Sequence, residues 1–119
     1  MSPPDQQFRA FLEEGRFMLQ RSRETGRFIF YPRIAEPGTG CTDLEWVPAS
    51  GDGVVYSTTV VRNRPRAPDY NVVLIDLAEG VRMMSRVEGI DPGDVRIHMA
   101  VRARIASGED GPVLVFDPA

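Results

Sequence analysis

The side chains most often used in nucleophilic catalysis are scarce in this chain, which contains one cysteine, Cys41, and one histidine, His98. A Cys–His pair needs both groups within hydrogen-bonding reach and a third group that orients the base. Cys41 is predicted in a loop and His98 on the more polar face of a distant strand. We interpret them as an incidental thiol and a surface histidine, and the sequence predicts no catalytic site and no cofactor.

The chain contains no lysine, and its 14 arginine residues supply all of its permanently positive side chains. Arg62, Arg64 and Arg66 alternate between two predicted strands, and in an extended segment this spacing places them on one side. Pro65 and Pro68 restrict the backbone there. Guanidinium groups bind phosphate through paired hydrogen bonds, so this cluster would suit a ligand that carries phosphates. A solvated loop is the simpler interpretation, because charged loops are usually exposed.

A short helix is predicted over residues 3–14, with Asp5 as its N-cap. Phe8, Phe11 and Leu12 follow at helical spacing and form one apolar stripe. This stripe either docks on the rest of the chain or is offered to a partner. Aromatic side chains are typical interface anchors, so we expect it to contribute to a partner interface.

The rest of the chain reads as short strands. Two precede a loop rich in glycine and proline, at 16–20 and 27–31. Five more follow, with turn residues between them, at 53–62, 70–77, 81–87, 95–105 and 113–116. Five strands with such turns indicate a small barrel, and the OB-fold is a five-stranded Greek-key barrel of about this size. The predicted fold class is mainly β, with the segment 1–43 preceding an OB-fold domain at 44–119.

The composition restricts the possible partners. The chain has 119 residues, a formal net charge of −3 and 26% charged residues. Mild acidity argues against general nucleic-acid binding, which usually needs a strongly basic surface. No apolar run approaches the roughly 20 residues that span a bilayer. The first residues lack a secretion-signal pattern, and a single cysteine fits a reducing compartment, so we expect a cytoplasmic protein without a membrane partner.

The order of several segments is similar to a known family. The segments, in order, are LQRSRETGRF, YPR, CTDLEWVPASGDGVVYSTTVV, VVLIDLAEGVRMMSRVEG, DPGDVRIHM and VLVFDPA. Together they resemble the zinc-ribbon/OB-fold family of acyl-CoA-associated proteins (DUF35-type), which accompany thiolase-like enzymes. The resemblance implies an N-terminal helix, a rubredoxin-like zinc ribbon and an OB-fold. It also implies a non-catalytic partner of thiolases, aldolases or hydratases that can help to hold the acyl-CoA. The phosphates of that acyl-CoA would then be the ligand for Arg62, Arg64 and Arg66.

The chain departs from this family at the metal. The resemblance places the two Cys-x-x-Cys pairs of the ribbon on Ser22 and Thr25 and on Glu36 and Thr39, with Cys41 two residues beyond. A structural zinc site needs four ligands, mostly thiolate or imidazole. Hydroxyl groups are poor zinc ligands at neutral pH, and one carboxylate does not hold the metal alone. We therefore expect a degenerate ribbon without metal.

These observations favour an accessory subunit that binds a thiolase-like or related CoA-dependent enzyme. The alternative is an OB-fold module that binds single-stranded nucleic acid. Such modules stack bases on exposed aromatic rings among basic residues, and the first four barrel strands contain only Tyr56 and Tyr70. A hydrolase or thioesterase is a third possibility, for which the sequence lacks a nucleophile paired with a base.

Overall fold

One helix opens the fold in the computed structural model, which describes residues 3–63, 65–109 and 111–119. Helix α1 spans Pro4–Glu13, close to the predicted range. The prediction that Asp5 caps the helix is wrong, because Pro3 occupies the N-cap position and Asp5 lies in the first turn. The fixed φ of proline suits the start of a helix, and the Asp5 carboxylate there lies near the positive end of the helix dipole.

A three-stranded antiparallel sheet follows the helix, and we call residues 18–48 the ribbon. Its strands are β1 (Met18–Ser22), β2 (Phe28–Ile29) and β3 (Leu44–Pro48), in the order β2-β1-β3. Strands β1 and β3 pair over all five residues of each. β3 therefore joins the ribbon sheet, although it follows residue 43. The division into 1–43 and 44–119 stays a prediction.

The second sheet has five antiparallel strands in the order β6-β5-β4-β7-β8. They are β4 (Asp52–Val61), β5 (Tyr70–Leu77), β6 (Arg82–Ser85), β7 (Ala100–Gly108) and β8 (Gly111–Pro118). A register shift in β4 between Val55 and Ser57 bends the long strand and helps the sheet to curl. The predicted mainly β fold class is confirmed, and the arrangement is that of an OB-fold. We call residues 52–118 the barrel.

The two edges of this sheet meet just after β6. Val87 forms a parallel bridge with Phe116, and the Glu88 N–H donates to the Phe116 carbonyl over 2.7 Å. The buried side chain of Asn71 completes the junction. Its Oδ1 accepts from the Val87 N–H over 2.9 Å, and its Nδ2 donates to the Val87 carbonyl over 3.1 Å. One amide therefore pins β5 to the segment that closes the barrel.

The start of β7 differs from the prediction. Apolar residues alternate from Val95 onward, which predicts a strand from 95 to 105, but β7 begins at Ala100. The preceding backbone forms a 3₁₀-helix at Pro92–Asp94 and then a turn in which His98 has a φ of 72°. His98 therefore does not lie on the face of a long strand. Its N–H instead donates to the Val55 carbonyl over 2.8 Å.

The barrel encloses most of the apolar core. The core residues share near-complete burial and are Leu19, Val55, Val73, Ile75, Leu77, Met83, Val87, Val95, Val101 and Phe116. All except Leu19 come from the barrel. Because Leu19 lies on β1, the ribbon is fixed to the barrel through the same core that holds the barrel strands.

Candidate functional site

The four positions that the resemblance assigns to zinc ligands lie together at one end of the ribbon. The Glu36 carboxylate is the centre of the group. Thr25 Oγ1 donates to its Oε2 over 2.6 Å, and Thr39 Oγ1 donates to its Oε1 over 2.7 Å. Ser22 lies in the same turn as Thr25, and its hydroxyl group contributes to a lowering of the pKa of the Glu36 carboxyl. Glu36 is 3% exposed and Ser22 is fully buried. We call these four residues the Glu36 cluster.

Backbone N–H groups hold the hydroxyl oxygens of this cluster in place. Ser22 Oγ accepts hydrogen bonds from the N–H groups of Glu24 and Thr25, each over 3.2 Å. Thr39 Oγ1 accepts from the N–H of Cys41 over 3.2 Å. In both turns the peptide two residues further on therefore donates to the side-chain oxygen. These hydrogen bonds fix the positions of the oxygens and leave the hydroxyl protons available to other acceptors.

These donors do not fit a structural zinc ion. The hydroxyl groups of Thr25 and Thr39 donate their protons to the Glu36 carboxylate. A structural zinc site needs thiolate or imidazole ligands instead. Among residues 3–63, 65–109 and 111–119, no group of three or more histidine, cysteine, aspartate or glutamate side chains is placed to hold a metal. The absence of zinc from the purified protein stays a prediction.

The cluster favours the ionised form of Glu36. The hydrogen bonds from Thr25 and then Thr39 lower the pKa of this carboxyl below its ordinary value, against the opposing effect of burial. The Arg27 guanidinium adds to the effect, because its Nε lies 3.8 Å from Glu36 Oε2. Glu36 is therefore a carboxylate at neutral pH, and it is stabilised chiefly by neutral hydroxyl groups.

A groove of about 340 Å³ runs between the ribbon and the barrel beside the cluster. Arg27, Arg33 and Arg82 line it together with the ring of Phe30. Arg82 Nε donates to Asp76 Oδ1 over 2.6 Å, and this hydrogen bond raises the pKa of Arg82. The Arg33 guanidinium has no acidic partner among the residues that the structure describes. The groove therefore has one cation free to meet an anion.

Two members of the predicted arginine cluster, Arg62 and Arg66, lie among the described residues. Arg62 follows β4 with a side chain that is 79% exposed, and its Nη1 lies 3.9 Å from Asp69 Oδ2. The Arg66 N–H donates to the Asn63 carbonyl over 2.9 Å. Arg64 lies outside the described residues. A phosphate-binding role for this loop stays a prediction.

The apolar stripe of α1 docks on the protein itself. The Phe8 ring packs edge-on against Phe30, with centroids 5.8 Å apart, and the Phe11 ring lies 5.2 Å from that of Trp46. Leu12 is 7% exposed. Docking on the rest of the chain is thus the arrangement observed. A role for Phe8, Phe11 and Leu12 at a partner interface stays a prediction, and the half-buried rings of Phe8 and Phe11 limit the area that they could offer.

The cysteine and the histidine lie in different parts of the fold. Cys41 is in the loop before β3, where its Sγ lies 3.9 Å from the Asp43 carbonyl oxygen. His98 is in the turn before β7, and the described residues show no hydrogen bond between the two side chains. Helix α1 is too short to cross a bilayer, and the described chain has no other helix that could do so.

A family model described as the C-terminal OB-fold domain of ChsH2 matches residues 46–106, which is just over half of the chain. The chain belongs to this family. The matched region begins inside β3 and contains four of the five barrel strands in whole or in large part. The predicted membership of a DUF35-type OB-fold family associated with acyl-CoA enzymes is therefore confirmed.

The similar proteins are named either as subunits of CoA hydratases or as scaffold proteins. The 3-oxo-4,17-pregnadiene-20-carboxyl-CoA hydratase alpha subunit of Mycobacterium tuberculosis is 35% identical, over 63% of this chain and 25% of that protein. A DUF35 domain-containing scaffold protein of Pyrococcus furiosus is 28% identical, over 76% of this chain and 73% of that one. The chain thus spans about a quarter of the length of the hydratase subunit.

A solved structure described as the Ltp2–ChsH2(DUF35) aldolase contains a chain with the same fold. The two chains superpose with a TM-score of 0.85 and are 26% identical, over 99% of this chain and 96% of the other. The likeness covers the helix and the ribbon as well as the ChsH2-type OB-fold. The ribbon therefore has the arrangement found in a DUF35-type protein.

Sequence reasoning missed the most exposed apolar residues of this ChsH2-type chain. Ile34 is 76% exposed and Tyr31 is 59% exposed, and both lie in the loop after β2. Ile34 lines a groove of about 540 Å³ between α1 and the ribbon, together with Trp46 and Arg33. The only available signal was a pair of large apolar residues in a predicted loop, which is weak because single exposed apolar residues are common.

Proposed function

We propose that this chain is a non-catalytic accessory subunit of a thiolase-like, aldolase or hydratase enzyme that acts on acyl-CoA. The observation that carries the proposal is the likeness to a chain of the Ltp2–ChsH2(DUF35) aldolase, which extends over 99% of this chain with a TM-score of 0.85. A likeness restricted to the OB-fold would support only a general binding module, because this fold has many functions.

The distribution of reactive side chains supports an accessory role. Cys41 and His98 occur once each and lie on the ribbon and on the barrel, respectively. A nucleophile needs a base within about 3 Å, and the described residues contain no such Cys–His contact. Catalysis would then reside in the partner, and this chain would supply a surface.

The side of the molecule that carries α1 and the ribbon is the proposed contact with the partner enzyme. It bears the helix stripe of Phe8 and Phe11, and beside it the exposed side chains of Tyr31 and Ile34. Arg33 lies at the same groove without an acidic partner among the described residues. Apolar side chains around a groove with a free arginine are typical of interface hot spots.

Co-expression with the thiolase-like, aldolase and hydratase enzymes of the source genome tests the proposal. We expect this chain and one of these enzymes to co-purify as a stable complex, with turnover of acyl-CoA by the complex and none by this chain alone. Ile34→Arg should reduce the recovered partner at least tenfold. Ile97→Arg is the matched control, because Ile97 is 56% exposed but lies on the barrel. No complex with any of these thiolase-like, aldolase or hydratase enzymes would sink the proposal.

A finer part of the proposal is a contribution to acyl-CoA binding by Arg62, Arg64 and Arg66. In support, Arg66 has no acidic partner among the described residues, and Arg62 has only the long contact of 3.9 Å with Asp69. Each lost charge-assisted contact typically weakens binding about tenfold or more. The triple glutamate variant should thus lower the affinity of the complex for acyl-CoA in calorimetry, whereas Arg96→Glu should not. Equal affinities would leave the loop merely solvated.

A further inference from the structure

We propose that the Glu36 carboxylate is the cross-link of the ribbon and acts through hydrogen bonds at the positions that the resemblance assigns to zinc ligands. It joins the turn at residues 22–26 to the loop at residues 36–41. Thr25 donates to it from the turn, and Thr39 donates to it from the loop. The inference concerns the ribbon itself and does not depend on the proposed function.

The direction of each hydrogen bond supports this role. A hydroxyl group has one proton to donate and lone pairs that accept. The hydroxyl oxygens of Thr25 and Thr39 already accept the backbone N–H groups of Arg27 and Cys41, respectively. Their protons are therefore available for an acceptor, and the carboxylate is an acceptor only. The cluster is complementary in a way that an amide or an apolar side chain at position 36 could not reproduce.

The surroundings of Glu36 also stabilise its buried negative charge. A buried carboxylate is costly unless it is hydrogen-bonded or paired. Glu36 is 3% exposed, both of its oxygens accept hydroxyl groups, and Arg27 Nε lies 3.8 Å away. Arg33 and Arg82 line the adjoining groove. The positive surroundings and the hydroxyl groups together replace the water that the carboxylate loses.

Thermal unfolding of substituted chains tests the cross-link. Trp46, the single tryptophan, lies on β3 and reports on the ribbon by fluorescence. We expect Glu36→Leu to lower the melting temperature Tm by roughly 5–10 °C, because it leaves buried hydroxyl groups without an acceptor. Glu36→Gln should lower Tm by less, since its amide oxygen keeps one acceptor. Glu24→Gln is the matched control in the same turn and should leave Tm unchanged.

Removing the hydroxyl groups gives a second test that does not depend on a variant that fails to fold. Thr25→Val and Thr39→Val keep the side-chain shape and each remove one hydrogen bond to Glu36. Each should lower the Tm of the wild-type chain by several degrees and that of the Glu36→Gln chain by clearly less, because contacting residues are not additive. Equal effects in both backgrounds would overturn the cross-link.

Conversion to a metal site tests whether the cluster occupies the place of the metal. The four-residue variant S22C/T25C/E36C/T39C should bind one Co²⁺ with the visible bands of tetrahedral thiolate coordination, and Zn²⁺ should displace it. Chelator should lower the Tm of that variant and leave the wild-type Tm unchanged. About one zinc per chain in the purified wild-type protein, or a Glu36→Gln variant as stable as wild type, would refute the proposal.

Discussion

The ribbon and the barrel are both antiparallel β-structures, but different forces hold them. The barrel encloses an apolar core in which Val55, Val73 and Ile75 are fully buried. In the ribbon, Gln20, Ser22 and Glu36 are buried polar residues. Gln20 binds the backbone of Arg33 twice, and Glu36 binds the hydroxyl groups of its cluster.

The barrel and the ribbon should therefore tolerate different kinds of substitution. The stabilising free energy of apolar burial is roughly proportional to the buried area and does not depend on the orientation of particular groups. An apolar core therefore accepts changes of shape when its volume is kept. Hydrogen-bonded clusters need particular donors and acceptors at particular places, and a buried group that loses its partner is costly. We therefore expect the barrel, apart from the buried hydrogen bonds of Asn71, to respond to volume, and the ribbon to respond to hydrogen-bonding chemistry.

The largest expected effect is in the barrel. Phe116 is fully buried at the closing bridge, and Phe116→Ala should reduce the free energy of unfolding by about 3–5 kcal/mol. Because Leu19 of the ribbon packs in the same core, circular dichroism and Trp46 fluorescence should report a common loss in urea unfolding. Val113→Ala, on the same strand but 39% exposed, is the control. An unchanged fluorescence midpoint would show that the ribbon is stable independently of the barrel.

The second-largest expected effect concerns Asn71, which carries the only buried side-chain amide among the described residues of the barrel. Asn71→Ala leaves the N–H and the carbonyl of Val87 without their side-chain partner, which should cost roughly 2–4 kcal/mol. Thr59→Ala, at an exposed position of β4, should cost little. A loss below about 1 kcal/mol at Asn71 would show that barrel closure does not depend on this hydrogen-bonded pair, and it would sharpen the view of the barrel as purely apolar.

The same difference explains which features could be predicted from the sequence. Strand β5 follows a strict alternation of buried and half-buried residues, and the predicted range 70–77 is observed. The alternation before β7 is equally regular, but it continues through a turn that depends on the left-handed conformation of His98. Periodicity predicts which residues an extended strand would bury and does not report a change of backbone direction, so Ile97, in phase with Val95, is 56% exposed.

The candidate site was only partly predictable for a related reason. The resemblance placed Ser22, Thr25, Glu36 and Thr39 at equivalent positions, and the expectation of a poor zinc site follows from their types. That Glu36 is the centre of a hydrogen-bonded cluster depends on the rotation of the Thr25 and Thr39 hydroxyl groups and on two turns meeting in space. Such contacts have no periodic signature in the sequence.

Acid should weaken the ribbon through Glu36. The folded-state pKa of this carboxyl lies below the ordinary value of about 4.3, so its stabilising effect is complete above that value and is lost as the pH falls through the lowered pKa. The difference in Tm between wild type and Glu36→Gln should accordingly be constant between pH 7 and 5 and shrink below about pH 4. A difference that is unchanged down to pH 3 would mean that the ionised form is not what stabilises the ribbon.

The smallest expected effect concerns the charged surface of the barrel. Arg104 Nε donates to Asp117 Oδ2 over 2.7 Å and its Nη2 donates to Glu88 Oε1 over 2.9 Å, which raises the pKa of Arg104. The Arg104 side chain is 45% exposed, so solvent and salt screen both contacts. Arg104→Gln should lower Tm by less than about 3 °C, and by less still in 1 M salt. Arg102→Gln, at a more exposed pair with Asp52, should have an even smaller effect. A loss at Arg104 as large as that at Glu36 would break the comparison, because hydrogen-bonding chemistry would then govern the barrel as well.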